Sequence, residues 1–305
     1  MNVAQGGVPA YFFVNGRWLP PEQAVVPVED RGYQLGDGVY EVIRVYGGRP
    51  FALDRHLERL VRSAEAIQLR LPLELVELAA IVEEAPRRRG LVEAQVYLQV
   101  TRGVAARVHH FPAEAAPSLV VYASPVRAVD PRLYEEGAAA VVLPDQRWLR
   151  CDIKSINLLP NALAKEEARR QGALEAVLER AGVGVTEGAS SNLFIVQEGT
   201  LVTAPPGPYI LRGVTRDLVI EQARAAGVPV EERFFSRAEL LAADEAFLTS
   251  TTMEVMPLVR VDGQTIGRGT PGAVTQRLHR ALRDVIVSAG AGSAAVRSTQ
   301  TGPAG

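Results

Sequence analysis

Residues 147–155 read RWLRCDIKS, and the lysine in that run decides how the rest of the chain is read. Of the 33 lysines and arginines in 305 residues, only Lys154 and Lys165 are lysines. A guanidinium stays charged at any workable pH, whereas a lysine amine can lose its proton and become a nucleophile. A chain that uses arginine almost everywhere and keeps lysine at 154 marks that position for chemistry, although genome composition also biases arginine and alanine usage.

Outward from this run, AAAVVLP (138–144) and RWLRCDIK read as strands. NALAKEEARRQG reads as a helix closed by Gly172. On that helix Lys165, beside Glu166 and Glu167, reads as a solvent-facing charge. ALEAVLER, SNLFIVQ and TLVTA follow as strands, the last two joined at Glu198-Gly199; GVTRDLVIEQARAAG is helical, with glycine at both ends. DEAFLTSTT, MPLVRVDG and a helix from about Ala273 to Val287 complete this half.

Upstream, YFFVNGRWLP reads as a hairpin turning at Asn15-Gly16, and GVYEVIRVYGGRPFAL as a second one turning at Gly47-Gly48. Asp54 suits a helix N-cap, with Leu57, Leu60, Val61, Ala64 and Ile67 at helical spacing. A second helix spans Leu73 to Arg89, interrupted near Pro86; AQVYLQVTRG and SLVVYASPV are strands. The pattern predicts an α+β chain of two domains, 1–125 and 138–288, joined over 126–137, with 289–305 as an unstructured tail. Strict strand–helix alternation, the mark of a doubly wound sheet, is missing.

Hydrophobic content of 47%, charged content of 22% and a net charge of −2 predict a soluble globular protein without nucleic acid or membrane as its main partner. A lone Cys151, no evident signal peptide and no apolar run of membrane-spanning length predict a cytoplasmic location. Walker, HExxH and CxxC motifs are absent, and the four histidines are too scattered to predict a metal site. GRGTPG (267–272) matches a dinucleotide fingerprint in letters, but no βαβ unit follows it.

Three stretches each read, taken singly, as an ordinary polar turn or cap. They are Glu187 in VTEGASSN, the helix start Gly213-Val214-Thr215 in RGVTRDLV, and Ser250-Thr251-Thr252 in LTSTTMEV. Arg59 taken singly is a solvated charge. Together with Lys154 they make an amine, an acid, hydroxyl-bearing turns, a helix N-terminus and an arginine. Pyridoxal phosphate asks for that set: an amine for its aldehyde, an acid for its ring nitrogen and donors for its phosphate.

RGYQLGDGVYEVIRVYGG, HLERL, QVTRG with ARVHHF, RWLRCDIKSINLLPNALAKEEA, VTEGASSNLF, LRGVTRD and LTSTTMEV closely resemble the bacterial D-amino acid aminotransferases. These are fold type IV pyridoxal phosphate enzymes, and the resemblance runs from about Tyr11 to Val287. It implies a homodimer of two-domain subunits with pyridoxal 5′-phosphate in the interdomain cleft. Lys154 would form the Schiff base and move the substrate Cα proton, and Glu187 would face the ring nitrogen. Arg59, Val214, Thr215 and Thr251 would hold the phosphate, Leu211 would pack on the ring, and Ser190 and Ser191 would serve the cofactor. Tyr40, Arg107 and His109 would trap the substrate carboxylate, with Thr252 also on the substrate side. Ala189 stands where the family has a third serine. The resemblance implies ping-pong transamination between a D-amino acid and a 2-oxo acid. Arg107 and His109, two apart and on one face of an extended segment, favour the D series. The alternatives are a sister enzyme (a branched-chain L-amino acid or amine transaminase, or an aminodeoxychorismate lyase) and a non-catalytic cofactor-binding protein.

Overall fold

Tight turns shape the first half of the chain. Asn15 and Gly16 both adopt positive φ, 46° and 90°, the backbone twist that a two-residue hairpin needs. They join β1 (Phe12–Val14) to β2 (Arg17–Leu19). The computed structural model describes residues 11–126 and 129–298, and these divide into two units. One comprises the described residues up to Val126 together with Ile153–Asn157, and the other takes the remainder.

In the first unit, β1 and β2 are followed by α1 (Arg31–Leu35), β3 (Gly38–Tyr46) and β4 (Arg49–Pro50). Then come α2 (Leu53–Ala66), α3 (Leu75–Arg88), β5 (Ala94–Thr101) and β6 (Ser118–Pro125). The strands form one antiparallel sheet in the order β2-β1-β6-β5-β3-β4. Along β3 every second residue is buried: Val39, Glu41, Ile43 and Val45 face one side. Leu57 and Leu60 of α2 and Leu78 and Val82 of α3 close that face as a core with Val96 and Leu98. The helical stripe is as expected, but α2 starts earlier, with Ala52 at the N-cap and Asp54 inside the first turn. Pro86 lies within the last turn of α3 and does not interrupt it.

Ile153–Asn157 belongs to this unit because β3 leaves an edge open. β4 pairs only with Val45 and Tyr46, so the other end of β3 is uncovered on that side. There Tyr40 N donates to Lys154 O and Ile156 N to Gly38 O, with Val39 bridged to Ser155. Two glycines permit the approach. A Cβ on Gly36 (φ 69°) would sit 2.2 Å from Asn157 Oδ1, and one on Gly38 would sit 3.1 Å from Ile156 Cδ1.

The second unit contains α4 (Arg132–Glu136), β7 (Ala138–Pro144), α5 (Leu159–Arg170), β8 (Glu175–Arg180), β9 (Gly184–Gly188), β10 (Asn192–Gln197) and β11 (Thr200–Thr203). It continues with α6 (Val214–Ala225), β12 (Val230–Glu232), α7 (Arg237–Leu241), β13 (Glu245–Ser250), β14 (Glu254–Val261), β15 (Gln264–Thr265) and α8 (Ala273–Ser298). Its mixed sheet runs β12-β11-β10-β13-β14-β7-β8-β9, with β15 on β14. The β7–β8, β7–β14 and β11–β12 pairs are parallel. Phe194 and Phe247 stack across β10 and β13 with centroids 4.9 Å apart. The architecture is α+β.

Three expectations change here. RWLRCDIK is a loop, not a strand, because its charges satisfy one another locally: Arg147 pairs with Asp145, Arg150 with Asp152, and Cys151 Sγ reaches Trp148 O. The segment 126–137 carries the short helix α4. Of the tail 289–305, residues up to Ser298 continue α8, since extending an existing helix through alanines costs far less than starting one. The rest of that tail lies outside the described residues. Among the described residues no helix is long and apolar enough to cross a membrane.

Candidate active site

In the first unit the main chain of Lys154 is pinned from both sides. Its N–H donates to Ser63 Oγ on α2 (3.1 Å), and its carbonyl accepts from Tyr40 (3.0 Å). Nζ then stands 4.2 Å from the centroid of the Tyr40 ring. No carboxylate among the described residues pairs with this amine. Tyr40 stacks on Tyr97, and Tyr97 meets Tyr122 at a tilt of 34°, forming an aromatic ladder over the sheet face opposite the helices. Burial pushes the Tyr97 and Tyr122 hydroxyls above the usual tyrosine range, so both stay protonated. A braced amine beside a π-face and outside any ion pair is suited to bond an aldehyde.

Arg59, predicted from the sequence, is buried rather than solvated. Its Nε and Nη2 grip Glu41 at 2.7 and 2.8 Å, and His56 Nδ1 lies 2.8 Å from the same carboxylate. Burial opposes the charge on Glu41, but Arg59 and His56 hold the carboxyl well below the usual range. Burial also lowers His56, which therefore stays neutral and donates Nδ1–H to Glu41. Glu41 and Tyr40 are neighbours on β3 and face opposite sides, so Arg59 and Lys154 serve different faces of this strand. The sequence reading missed Glu41 and His56, although Glu41 is the next letter after Tyr40 in GVYEV.

Arg107 and His109 lie in bends, not in a strand. Both are exposed, and neither makes a hydrogen bond or ion pair with the described residues. Their loop is anchored at its base. Arg31 Nη1 donates to Val108 O (2.7 Å), and Arg102 stacks 3.6 Å from the Phe111 ring while capping the carbonyls of Ile67 and Gln68. Asp37 in turn holds Arg31 and Arg102 at 2.8 and 2.9 Å.

In the second unit Glu187 sits on β9, almost fully buried. Arg147 Nη1 donates to its Oε1 (2.5 Å), Asn192 Nδ2 to Oε2 (3.0 Å) and Leu211 N to both (3.1 Å). Arg147 is itself fixed by Asp145, which also takes Arg180. Burial pushes the Glu187 carboxyl up to about 7 despite Arg147 and the Leu211 N–H, and Asp145 adds to the rise. The folded chain thus binds a proton there that the unfolded chain has already released above about pH 4.5. Stability should therefore fall as pH rises through this window, by about 3 kcal/mol from this group. Denaturant unfolding of cofactor-stripped protein between about pH 5 and about pH 7.5 should show that Glu187→Gln flattens the dependence. Parallel profiles for the two proteins would contradict this. Arg147 and Asp145 were missed by the sequence reading, although Arg147 opens the quoted run. Cys151 nearby is no rival nucleophile, because burial pushes its thiol up to about 11.

Ser190 and Ser191, in the turn after Glu187, both donate to Glu175 Oε2, at 2.8 and 2.9 Å. Lys165 is about as exposed as expected, at 40% of its side chain, but it is not a free solvated charge: Nζ pairs with Glu175 Oε1 at 2.9 Å and donates to Leu174 O at 2.8 Å. Its helix turns that face toward β8, so the visible neighbours Glu166 and Glu167 misled. Leu211 is half-buried and acts through its backbone N–H. Val214 and Thr215 open α6, whose N-cap, Gly213, has no side chain to cap the first-turn N–H groups. Thr251 and Thr252, half-buried, form the turn after β13, where Ser250 Oγ accepts from Met253 N. An uncapped helix start that carries Thr215 in its first turn suits a phosphate, and a buried carboxyl suits a protonated ring nitrogen. The residues present fit the group.

The chain belongs to the class IV aminotransferases, whose family model matches residues 38–261. The D-alanine aminotransferase of Bacillus licheniformis is 43% identical over 274 residues, covering 90% of this chain and 96% of that protein. Branched-chain amino acid aminotransferase from Escherichia coli superposes with a TM-score of 0.85 at 30% identity, over 91% of this chain and 94% of that one. The branched-chain enzyme of Thermoproteus uzoniensis, solved with norvaline, gives a TM-score of 0.81 at 31% identity, over 91% and 95%.

Proposed function

We propose that this aminotransferase moves the amino group of a D-amino acid of the D-alanine type to a 2-oxo acid, with pyridoxal 5′-phosphate as cofactor. The observation that carries this is the 43% identity to a D-alanine aminotransferase across nearly the whole of both chains. When bound, the cofactor supplies an aldehyde and an electron-accepting ring. Lys154 Nζ is the covalent attachment point and afterwards the base that takes and returns the substrate Cα proton, a role typically worth ~10²–10⁴-fold. Glu187, oriented by Arg147, Asn192 and the Leu211 N–H, holds the proton on the ring nitrogen. The first turn of α6 with Thr215 and Thr251, and Arg59 set by Glu41, hold the phosphate. Leu211 would pack on the ring, and Ser190 and Ser191 would serve the cofactor.

Arg107 and His109, with Tyr40, capture the substrate carboxylate; Thr252 contributes a hydroxyl on the substrate side. The exposure of both loop side chains and the bracing of their backbone support this role. Arg107→Ala should raise KM for D-alanine about 10–100-fold, the loss of a charged hydrogen-bonding pair, with little change in unfolding temperature. Unaltered KM would remove Arg107 from the trap. A panel of D-amino acids, L-amino acids and primary amines with pyruvate or 2-oxoglutarate tests the substrate class. Turnover confined to L-amino acids would favour the branched-chain alternative.

The exposed apolar residues Val28, Tyr33, Val108 and Phe111 support a homodimer, measurable by analytical ultracentrifugation. The single buried cysteine supports a reducing, cytoplasmic setting.

A further inference from the structure

Both lysines of this arginine-rich chain meet chemistry, and the second does so indirectly. Glu175, at the start of β8, is fully buried and accepts from four donors. Lys165 Nζ and the Ala176 N–H reach Oε1, at 2.9 and 3.0 Å; the hydroxyls of Ser190 and Ser191 reach Oε2. A carboxylate offers about four acceptor positions, so all are taken. The turn carrying the serines is fixed in its backbone too: Ala189 O accepts from Asn161 Nδ2 (2.8 Å), and Gly188 N donates to Ser191 O (2.7 Å).

A serine hydroxyl has one proton and two lone pairs. With both protons committed to Glu175, Ser190 and Ser191 can meet a ligand only as acceptors. We propose that Lys165 is a positioning residue that, by engaging Oε1 of Glu175 and so presenting Oε2 to the serines, sets the polarity of Ser190 and Ser191, so that these hydroxyls receive hydrogen bonds from donor groups of the cofactor and take no part in holding its phosphate. This rests on the pyridoxal phosphate reading above. A phosphate dianion is itself an acceptor and needs donors, which the α6 N-terminus supplies.

The test titrates the full-length chain, stripped of cofactor, with pyridoxal 5′-phosphate, and separately with inorganic phosphate as competitor; unfolding temperature is recorded alongside. Lys165→Met should weaken pyridoxal phosphate binding roughly tenfold, about one oriented hydrogen bond, and leave the inorganic phosphate constant unchanged. Lys165→Arg, which keeps the charge, should stay within about twofold of the parent. Lys165→Met with Glu175→Leu should regain thermal stability, since the buried carboxylate that loses its lysine partner is replaced by an apolar side chain, but not cofactor affinity. Equal weakening toward phosphate, recovery of affinity in the double variant, or unchanged binding in Lys165→Met would each overturn the proposal. If Lys165→Met does not fold, Ser190→Ala with Ser191→Ala must show the same selective loss, and normal affinity there is contrary. A parent chain that takes up no pyridoxal phosphate would instead defeat the reading underneath, and this proposal with it.

Discussion

Replacing Lys154 with alanine is expected to lower D-alanine turnover by about 10⁴-fold or more and to abolish covalent retention of the cofactor. Two losses combine in that figure: the attachment point and the proton carrier are one atom. The substitution should leave the fold nearly intact. Lys154 contributes its backbone to the edge of β3, and alanine keeps both of those hydrogen bonds; only the contact with the Tyr40 ring disappears. Unfolding temperature within a few degrees of the parent, with activity gone, is the expected pair of results. Activity above about one hundredth of the parent would mean that another base moves the proton.

Glu187→Gln is expected to reduce kcat by about 10²–10³-fold, the usual cost of removing one preorganised charge from where charge develops. The amide can still accept from Leu211 N and Asn192, so the turn keeps its shape. What it cannot do is hold a proton on the ring nitrogen or neutralise Arg147, whose guanidinium is left buried without its second carboxylate. Pre-steady-state measurement of the Cα proton-transfer step separates this from slower binding. If kcat is unaffected while KM rises, Glu187 acts on binding alone.

How far the sequence was legible follows the range of the interactions involved. Hairpins at Asn15-Gly16 and Glu198-Gly199 were readable because positive φ at adjacent residues leaves few alternatives. The helical stripe of α2 was readable from its own spacing. The loop around Lys154 was not, because its apolar letters mimic a strand. Besides its local charge pairs it has distant partners that the letters do not show: Pro208 O for Cys151 N, Glu187 for Arg147 and Gly38 for Ile156. The partner of Lys165 was missed for the same reason, its carboxylate lying on the following strand. Lys154, Glu187 and Arg59 could be singled out as candidates from lysine usage, from their joint chemistry and from resemblance, whereas the groups that contact Glu187 and Arg59 (Arg147 and Glu41) appear only when strands and helices are placed together.

The central claim is that one lysine nitrogen bonds the cofactor. Borohydride reduction of the purified holoenzyme followed by peptide mapping addresses it directly, since the chain offers only two lysine side chains to label. The account predicts a pyridoxyl group on Lys154 and none on Lys165. A label on Lys165, on the N-terminal amine, or on no peptide at all would contradict it.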